Sequence, residues 1–258
     1  PMLAARGLQS RAASGPQGCG GCPRGCSGRG GGAWLTAQQR AVQRRLARSG
    51  SLEELLAVLG EDPPLPPVAL ATAWHRLARH ARAGGAAGSN PVGRAAQQLA
   101  GCLDRSELAA FSARSLANVV YAWGVLRFGC ERLVLKVFAH TAVRVGECKA
   151  QEVANLIYSL GLMRRGDGGG LLAPVCAEVP RLAEEFSPQD LSNIAYGLAL
   201  LGRRRADVLQ AVCAAALTKL PAFTPQGCSN LLYSLGLLRF RHRKLLRAAC
   251  VQAAGRLQ

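Results

Sequence analysis

Four stretches of this chain repeat one pattern, and this repetition constrains the fold more than any other feature. An Asn recurs at intervals of 37, 38 and 37 residues, and a Tyr follows each Asn after three positions. These four Tyr are all the Tyr in the protein, so chance does not explain their register. Self-similarity at a fixed period of this length indicates a repeat architecture. The pairs are Asn118 and Tyr121, Asn155 and Tyr158, Asn193 and Tyr196, and Asn230 and Tyr233.

Each repeated segment is predicted to form a helix of about four turns, which we name helix A. In two repeats a hydroxyl residue, Ser187 or Thr224, directly precedes a Pro. A hydroxyl at the N-cap and Pro at the first helical position are both favoured at helix starts. We expect the helices to end in a left-handed residue at the glycines that follow the first three segments, which are Gly129, Gly166 and Gly202.

A second apolar pattern at helical spacing follows each helix A after a short basic turn, and it predicts a helix B. In the second repeat this pattern contains Pro180, which should kink or shorten the helix. A hairpin this apolar cannot bury its own surface, so neighbouring hairpins are expected to stack. The sequence therefore predicts an all-α protein, an α-solenoid of helix–turn–helix repeats of 37–38 residues.

The repeats divide the chain into three predicted regions. Residues 111–258 hold the four repeats, and residues 51–110 are interpreted as a degenerate helical cap at their N-terminal end. In this cap Ser51 is expected to cap a helix with Glu54 three positions later. A later segment resembles helix A, with Trp74 at the Tyr position and Ala71 at the Asn position.

Residues 1–50 are predicted to be a basic leader rich in Gly and Arg. They contain eight Arg, no acidic residue and no continuous apolar stretch, a composition typical of an organellar transit peptide. We therefore expect a mitochondrial protein, with the chloroplast as the alternative. A flexible tail that binds RNA nonspecifically is the other interpretation of this segment. Its cysteines, Cys19, Cys22 and Cys26, lack a fourth zinc ligand nearby, so no metal is expected.

Charge and motif content restrict the possible partners. The protein has 32 Lys and Arg against 15 Asp and Glu, a net charge of +17, which favours polyanions such as nucleic acid or anionic membrane surfaces. No apolar run approaches the roughly 18 residues that span a bilayer. No phosphate-binding loop and no catalytic spacing of His is present. We therefore predict a non-enzymatic protein with no membrane span, no cofactor and no small-molecule substrate.

The repeats resemble those of a known family. The segment Ser187 to Gly202, Ser-Pro-Gln-Asp-Leu-Ser-Asn-Ile-Ala-Tyr-Gly-Leu-Ala-Leu-Leu-Gly, is similar to octotricopeptide repeats and to the helical repeats of FAST-kinase-like and RAP-domain proteins. The similarity covers residues 111–258 well and 51–110 loosely. It implies an organellar RNA-binding protein that acts on transcripts or belongs to a mitochondrial ribosome. The chain departs from the family in having Tyr where Trp is usual, and no RAP module follows the repeats within these residues.

A basic solenoid can hold RNA, because Lys and Arg neutralise phosphates while side chains of successive repeats meet the bases. Basic residues cluster at the end of each helix A and in the turn that follows, and they predict a phosphate-binding stripe along the stack. A solvated basic surface is the alternative interpretation. The predicted phosphate-binding residues are Arg127, Arg164, Arg165, Arg203, Arg204, Arg205, Arg239, Arg241, Arg243 and Lys244.

Base recognition is expected at positions that vary between repeats, at the start of helix A, although polar residues are also ordinary in a first helical turn. The repeated Asn and Tyr are identical in every unit and cannot distinguish bases, so they are expected to be structural, with the Tyr rings in the core. The predicted base-contacting residues are Arg114, Ser115, Gln151, Glu152, Gln189, Asp190, Gln226 and Gly227.

Three functions remain open at this point. The first is an accessory component of a mitochondrial ribosome that contacts rRNA and neighbouring ribosomal proteins, and four repeats that read few bases favour it. The second is a sequence-selective factor for the stability, processing or translation of organellar transcripts. The third is a protein-binding scaffold, which the net charge disfavours.

Overall fold

The computed structural model describes residues 35–61, 65–84, 89–165 and 169–255. These ranges contain α-helices and short 3₁₀ turns and no β-strand, and the predicted all-α solenoid is confirmed. The leader cysteines and Gly166 lie outside the described residues. No helix in these ranges is long and apolar enough to cross a membrane.

The described helices form six consecutive hairpins in two layers. The A layer consists of α1 (Ala37–Arg48), α3 (Pro67–Ala83), α5 (Ala113–Leu126), α7 (Ala150–Met163), α9 (Pro188–Leu201) and α11 (Pro225–Leu237). The B layer consists of α2 (Leu52–Gly60), α4 (Asn90–Arg105), α6 (Glu131–Ala142), α8 (Leu172–Arg181), α10 (Ala206–Lys219) and α12 (Arg243–Gly255). Helix α1 packs on α3 although it lies within the predicted leader, so the helical part of the chain starts before residue 51.

Each of the last four A helices begins in the same way. A short 3₁₀ turn is followed by one buried residue and then by the N-cap. The Ser187 and Thr224 hydroxyls accept hydrogen bonds from the backbone N–H groups of Asp190 and Gly227, which confirms the two predicted caps. Such caps satisfy N–H groups that the helix leaves without partners. The four buried residues are Phe111, Cys148, Phe186 and Phe223.

The A helices end at a left-handed residue whose identity differs from the prediction. Gly202 has φ of +63° and closes α9 as predicted. In the two preceding repeats the left-handed residue is an arginine, Arg127 or Arg164, each with φ of +53°. The expectation for Gly129 was wrong because α5 already ends at Leu126. A left-handed residue also recurs in the last repeat, where Arg239 has φ of +50°.

Glycine allows the A helices to approach one another closely. A Cβ atom placed on Gly124 would lie 2.8 Å from the Cα of Ser159, and one on Gly197 would lie 2.6 Å from the carbonyl oxygen of Ile157. Ser159 and Gly197 therefore lie at helix–helix contacts. Neighbouring A helices pack on each other more extensively than neighbouring B helices do.

The core lies between the two layers and runs along the stack. Trp74 of α3 and Trp123 of α5 are fully buried, and their rings meet edge to face at 5.9 Å. Phe128 packs against both. These aromatic side chains join the predicted N-terminal cap to the first repeat. Helix α8 is the shortest of the last four B helices and includes Pro180 one residue before its end, as predicted.

A basic residue at or just after the end of helix B ties each of the first three repeats together. Lys219 donates hydrogen bonds of 2.7 Å to the carbonyl oxygens of Glu184 and Phe186, just before α9. Arg144 donates to the carbonyl of Phe111, and Arg181 donates to that of Gly146 at 3.5 Å, in the corresponding places of the two preceding repeats. These three side chains therefore have a structural role, although they are basic and recur at the repeat spacing.

Candidate nucleic-acid interface

One side of the A layer is not covered by another helix, and the same four positions of each repeat are exposed or half-buried there. We call these sixteen residues the A face. From the start of each helix to its end, the four rows are Arg114, Gln151, Gln189 and Gln226; Asn118, Asn155, Asn193 and Asn230; Tyr121, Tyr158, Tyr196 and Tyr233; and Val125, Leu162, Leu200 and Leu237.

The repeated Asn side chains lie on this face. Asn118, Asn155 and Asn193 are half-buried and Asn230 is exposed. In the described part of the chain no side-chain hydrogen bond is formed by any of them, whereas Ser159 and Ser234 do bond to the backbone carbonyls of Asn155 and Asn230. The geometry therefore gives no support to the expected structural role for the amide groups, which remain available to a ligand.

The Tyr rings also lie on the A face rather than in the core. Three of them are half-buried and Tyr233 is 63% exposed, so the expected core position was wrong. The rings of Tyr158 and Tyr196 are 6.2 Å apart, with a 34° angle between their planes. His75 of α3 pairs with Tyr121 at 5.8 Å and the same angle. The A face thus carries a row of aromatic rings at one level of successive helices.

Helix α3 extends this surface, in a register one residue away from the predicted one. His75 lies beside Tyr121 and so occupies the Tyr position, while Trp74 is fully buried. Three residues earlier, Thr72 takes the Asn position, where its hydroxyl accepts a hydrogen bond of 2.9 Å from Gln43 of α1. Trp74 resembles Tyr in size and polarity, which explains why the sequence pattern selected it instead of the adjacent His.

The structure separates the predicted base-contacting residues into two groups. The first residue of each pair, Arg114, Gln151, Gln189 or Gln226, is exposed on the A face. The second residue lies at the third position of the helix, where it takes part in the N-terminal cap. Of this second group, Ser115 is 6% and Asp190 8% exposed, and Glu152 and Gly227 also form cap hydrogen bonds. Only the first group presents side chains to a ligand.

The predicted phosphate-binding residues lie along the border of the A face where the A helices end, and we call these ten residues the Arg border. Eight of the ten are exposed, while Arg165 and Arg205 are half-buried. Arg165 forms an ion pair of 2.5 Å with Glu131, and Arg205 one of 3.3 Å with Asp207. The Arg204 guanidinium lies 5.9 Å from the centre of the Phe240 ring. The border therefore contains both engaged and exposed guanidinium groups.

The left-handed arginines Arg127, Arg164 and Arg239 form the regular part of this border. They occupy the same position of three repeats and are exposed. No ion pair or hydrogen bond of their side chains is found among the described residues. Arg127 and Arg164 both line a shallow cavity of about 320 Å³. Its other lining residues are Phe128, Gly129, Leu162, Met163 and Arg165. These three arginines therefore adopt a left-handed conformation that costs energy for a residue with a Cβ, at positions where their guanidinium groups face solvent.

The electrostatic environment of the A face favours anions. None of its sixteen positions holds Asp or Glu. A groove of about 540 Å³ crosses α1, α3, α5 and α7 at the start of the repeats, and Arg76, Arg114 and Lys149 line it. His75 also lines this groove, and burial together with the nearby Arg76, Arg79 and Arg114 guanidiniums lowers its pKa. The single carboxylate in the groove, Glu152, accepts a hydrogen bond from the Lys149 backbone N–H.

Sequence reasoning missed Thr72, His75, Arg76 and Lys149 as candidates because they fall outside the four clear repeats or before helix A. Comparison with known proteins adds no further candidates: no family model matches the sequence, and no curated protein does so either.

Proposed function

We propose that this protein is a non-enzymatic RNA-binding protein that holds a single strand across its A face. The phosphates lie at the Arg border and the bases lie against the Asn and Tyr rows. One observation carries this proposal: amide, aromatic and guanidinium groups, exposed or half-buried, recur in the same order on successive hairpins, with Gly202 at the arginine position of the third repeat. A ligand that itself repeats, with a charged backbone and flat polar bases, matches that order.

Each row has a chemical counterpart in RNA. Guanidinium groups neutralise phosphates and release counterions, which is the main source of affinity for nucleic acids. Aromatic rings stack on unpaired bases of any identity. Amide groups pair with base edges, which are accessible in single strands and poorly accessible in the narrow major groove of an RNA helix. These properties favour single-stranded segments over duplexes.

We further propose that the protein is an accessory component of a mitochondrial ribosome. The resemblance of its repeats to octotricopeptide repeats supports an organellar RNA partner. The first-turn row supports a structural role over selective reading, since Gln is present in three of its four positions. A surface with so little variation between repeats can distinguish few RNA sequences. This property suits a protein that binds rRNA and neighbouring ribosomal proteins at one fixed place.

The RNA proposal is tested by binding at several salt concentrations. We would measure the anisotropy of a labelled single-stranded RNA with the full chain and with the triple variant Arg127→Gln, Arg164→Gln and Arg239→Gln. Three lost phosphate contacts should flatten the slope of log K against log salt by roughly two, at about 0.7 per contact. The matched control, Arg94→Gln, Arg105→Gln and Lys136→Gln, removes the same charge from exposed positions of the B layer.

The control should retain most of the slope. Equal effects of both triple variants would show that binding follows net charge alone, and an unchanged slope in the first variant would reject the Arg border as a phosphate site. Sedimentation of the native protein tests the ribosomal role: stable migration with a ribosomal subunit is expected, and migration with small transcript complexes would instead support a transcript factor.

A further inference from the structure

The repetition of the A face is broken around one groove, the groove of about 540 Å³ that crosses α1, α3, α5 and α7. In the first-turn row, Arg114 stands where the other three repeats have Gln. At the N-cap of helix A, Lys149 stands where the other three repeats have Ser or Thr. Both side chains line the groove, so two departures from the repeat lie at one place.

A third cation in the groove also departs from the pattern. Arg76 follows His75, and because His75 occupies the Tyr position, the counterparts of Arg76 are the residues after each Tyr. Arg76 is half-buried, and its guanidinium donates a hydrogen bond to the Ala47 carbonyl oxygen of α1. The groove therefore holds three cationic side chains, those of Arg76, Arg114 and Lys149, and none of them belongs to the Arg border. The counterparts of Arg76 are all small and buried, namely Ala122, Ser159, Gly197 and Ser234.

The surroundings of Arg114 hold its guanidinium at the groove and leave its donors available. The side chain is 76% exposed, and its Nε lies 3.9 Å from Oε1 of Glu152 on α7, which is longer than a hydrogen bond. The Glu152 carboxylate is itself fixed, because its other oxygen accepts a hydrogen bond of 2.8 Å from the Lys149 backbone N–H. Asn118 lies one turn after Arg114 on the same side of α5 and also lines the groove. A guanidinium donor group therefore lies beside an amide that no described side chain or backbone group engages.

Guanine is the base whose edges match this pair of groups. Its O6 and N7 atoms are adjacent acceptors, and Arg binds them with two hydrogen bonds. Its N1–H and 2-amino groups are donors on the next edge, which is accessible in a single strand, and the oxygen of an Asn amide can accept from them. Because O6 lies between N7 and N1 on the rim of the base, the two protein groups must be neighbours, as Arg114 and Asn118 are. Adenine carries an amino group in place of O6, and an Arg donor cannot pair with it.

We propose that this groove binds one guanine nucleotide of the RNA strand, with Arg114 on O6 and N7 and Asn118 on the N1 edge. Lys149 and Arg76 neutralise the phosphates beside it. This inference rests on the proposed RNA function and adds to it a place where base identity is read, which the nearly uniform first-turn Gln residues do not provide. One guanine bound at a fixed position gives the strand a single register on a surface that otherwise repeats.

The test measures the anisotropy of labelled 12-nucleotide uridine RNAs that carry one guanosine, one adenosine or one cytidine at the same internal position. With the full chain, the guanosine RNA should bind roughly tenfold more tightly than the other two, a typical effect of one bidentate base contact. Replacing the guanosine by 7-deazaguanosine, in which a carbon takes the place of N7, should remove most of this preference, because Arg114 then meets a single acceptor. This comparison changes only the RNA, so it does not depend on the folding of any variant.

Two variants give the groove the residues of the other repeats. Arg114→Gln should remove the preference for guanosine over adenosine, and thermal unfolding should show that it folds, since Gln occupies this position in the other three repeats. Lys149→Ser should keep the preference and flatten the salt slope by about 0.7, one phosphate contact. The matched control is Arg94→Gln, the same change at an exposed position of α4, and it should keep the full preference for guanosine.

The outcomes separate this inference from the proposed function. Uridine RNAs that bind without a preference for guanosine, or a preference that survives Arg114→Gln or 7-deazaguanosine, would overturn the guanine site and leave the RNA function intact. Absence of RNA binding would overturn both. Free GMP, titrated without RNA, should not bind below millimolar concentrations, because a single nucleotide lacks the contacts to the Arg border. Saturable binding of GMP in the micromolar range would assign the groove to a free nucleotide and overturn its assignment to the strand.

Discussion

Gly161 and Gly197 face each other across the contact between α7 and α9 so closely that their backbones touch. A Cβ on Gly161 would lie 2.8 Å from both the Cα and the carbonyl oxygen of Gly197. Gly197→Ala should therefore destabilise the protein by about 1–3 kcal/mol, because the two helices must separate to admit the methyl group. Urea unfolding measures the loss. Gly93→Ala, at an open helical position, should instead stabilise by about 0.5–1 kcal/mol, and equal behaviour of the two variants would contradict the close contact.

Arg164→Gly should have opposite effects on stability and on RNA binding. A left-handed conformation costs a residue with a Cβ about 1–2 kcal/mol, and the greater backbone entropy of unfolded Gly offsets part of this gain. We expect a net stabilisation of about 0.5–1 kcal/mol in urea unfolding. The salt slope of RNA binding should fall by about 0.7, one phosphate contact. The reverse change, Gly202→Arg, should destabilise; a loss of stability in Arg164→Gly would contradict the strained conformation.

Tyr196→Ala should affect RNA binding more than it affects folding. Because the ring is half-buried on the A face, its removal should cost about 1–2 kcal/mol in stability, below the roughly 3–5 kcal/mol of a core aromatic truncation. The loss of one stacked base should weaken RNA binding by about 1–3 kcal/mol. Tyr196→Phe keeps the ring and should behave as the unmodified protein in both assays. A core-sized loss of stability with unchanged RNA affinity would return the Tyr row to a purely structural role.

Lys219→Met tests whether a recurring basic residue is structural. Its amino group donates two hydrogen bonds of 2.7 Å to carbonyl oxygens before α9, so the variant should lose about 1–2 kcal/mol of stability while the salt slope of RNA binding stays the same. Lys244→Met removes an exposed charge of the Arg border and should show the opposite result, with stability unchanged within about 0.5 kcal/mol and a reduced slope. If Lys219→Met and Lys244→Met changed stability and the salt slope in the same way, Lys219 would have no structural role distinct from the role of the Arg border.

Stability should depend on pH through His75. Burial and the nearby arginines lower its pKa in the folded state, so below about pH 6.5, the ordinary value for His, the unfolded chain binds more protons than the folded one. The contribution of neutral His75 to the free energy of unfolding is therefore fully present above about pH 6.5. It is lost as the pH falls towards the lower pKa that His75 has in the folded protein. Melting temperatures between pH 7.5 and 5 should decline less in His75→Gln than in His140→Gln. An identical decline would show that His75 does not contribute.

The repeat spacing and the helix caps could be predicted because they follow from local signals. Ser187 and Thr224 cap their helices as the hydroxyl–proline pairs indicated. The Tyr positions could not be predicted in the same way. A helix that is apolar on two sides can be covered on both sides by other helices, which would bury the Tyr rings. In this two-layer stack, however, the side of each A helix that carries the Tyr is not covered by another helix. Which side that is depends on how neighbouring hairpins pack and not on any single repeat.

The structure shows where the predicted site residues lie and which of them are exposed. The basic turns do lie together along one border, as equivalent positions of stacked repeats must. Arg127, Arg164 and Arg239 were predicted as phosphate-binding residues, but their left-handed conformation was missed because glycine is the usual residue in that conformation and Gly129 lies only two positions after Arg127. Ser115 and Asp190 were selected as polar residues of a first helical turn, although polar residues there also cap the helix, and the structure shows them in that role.

The two tryptophans of the core make the protein a spatially selective optical reporter of its own unfolding. Trp74 and Trp123 sit at one junction between hairpins, and among the described residues no other indole is present. In a chain whose units are coupled mainly to their neighbours, the intrinsic fluorescence of a Trp34→Phe variant, which keeps only Trp74 and Trp123, follows the melting of that junction, while circular dichroism averages over every helix. The interval between the two transitions along a denaturant gradient gives a direct measure of how far cooperativity extends from one end of the array to the other.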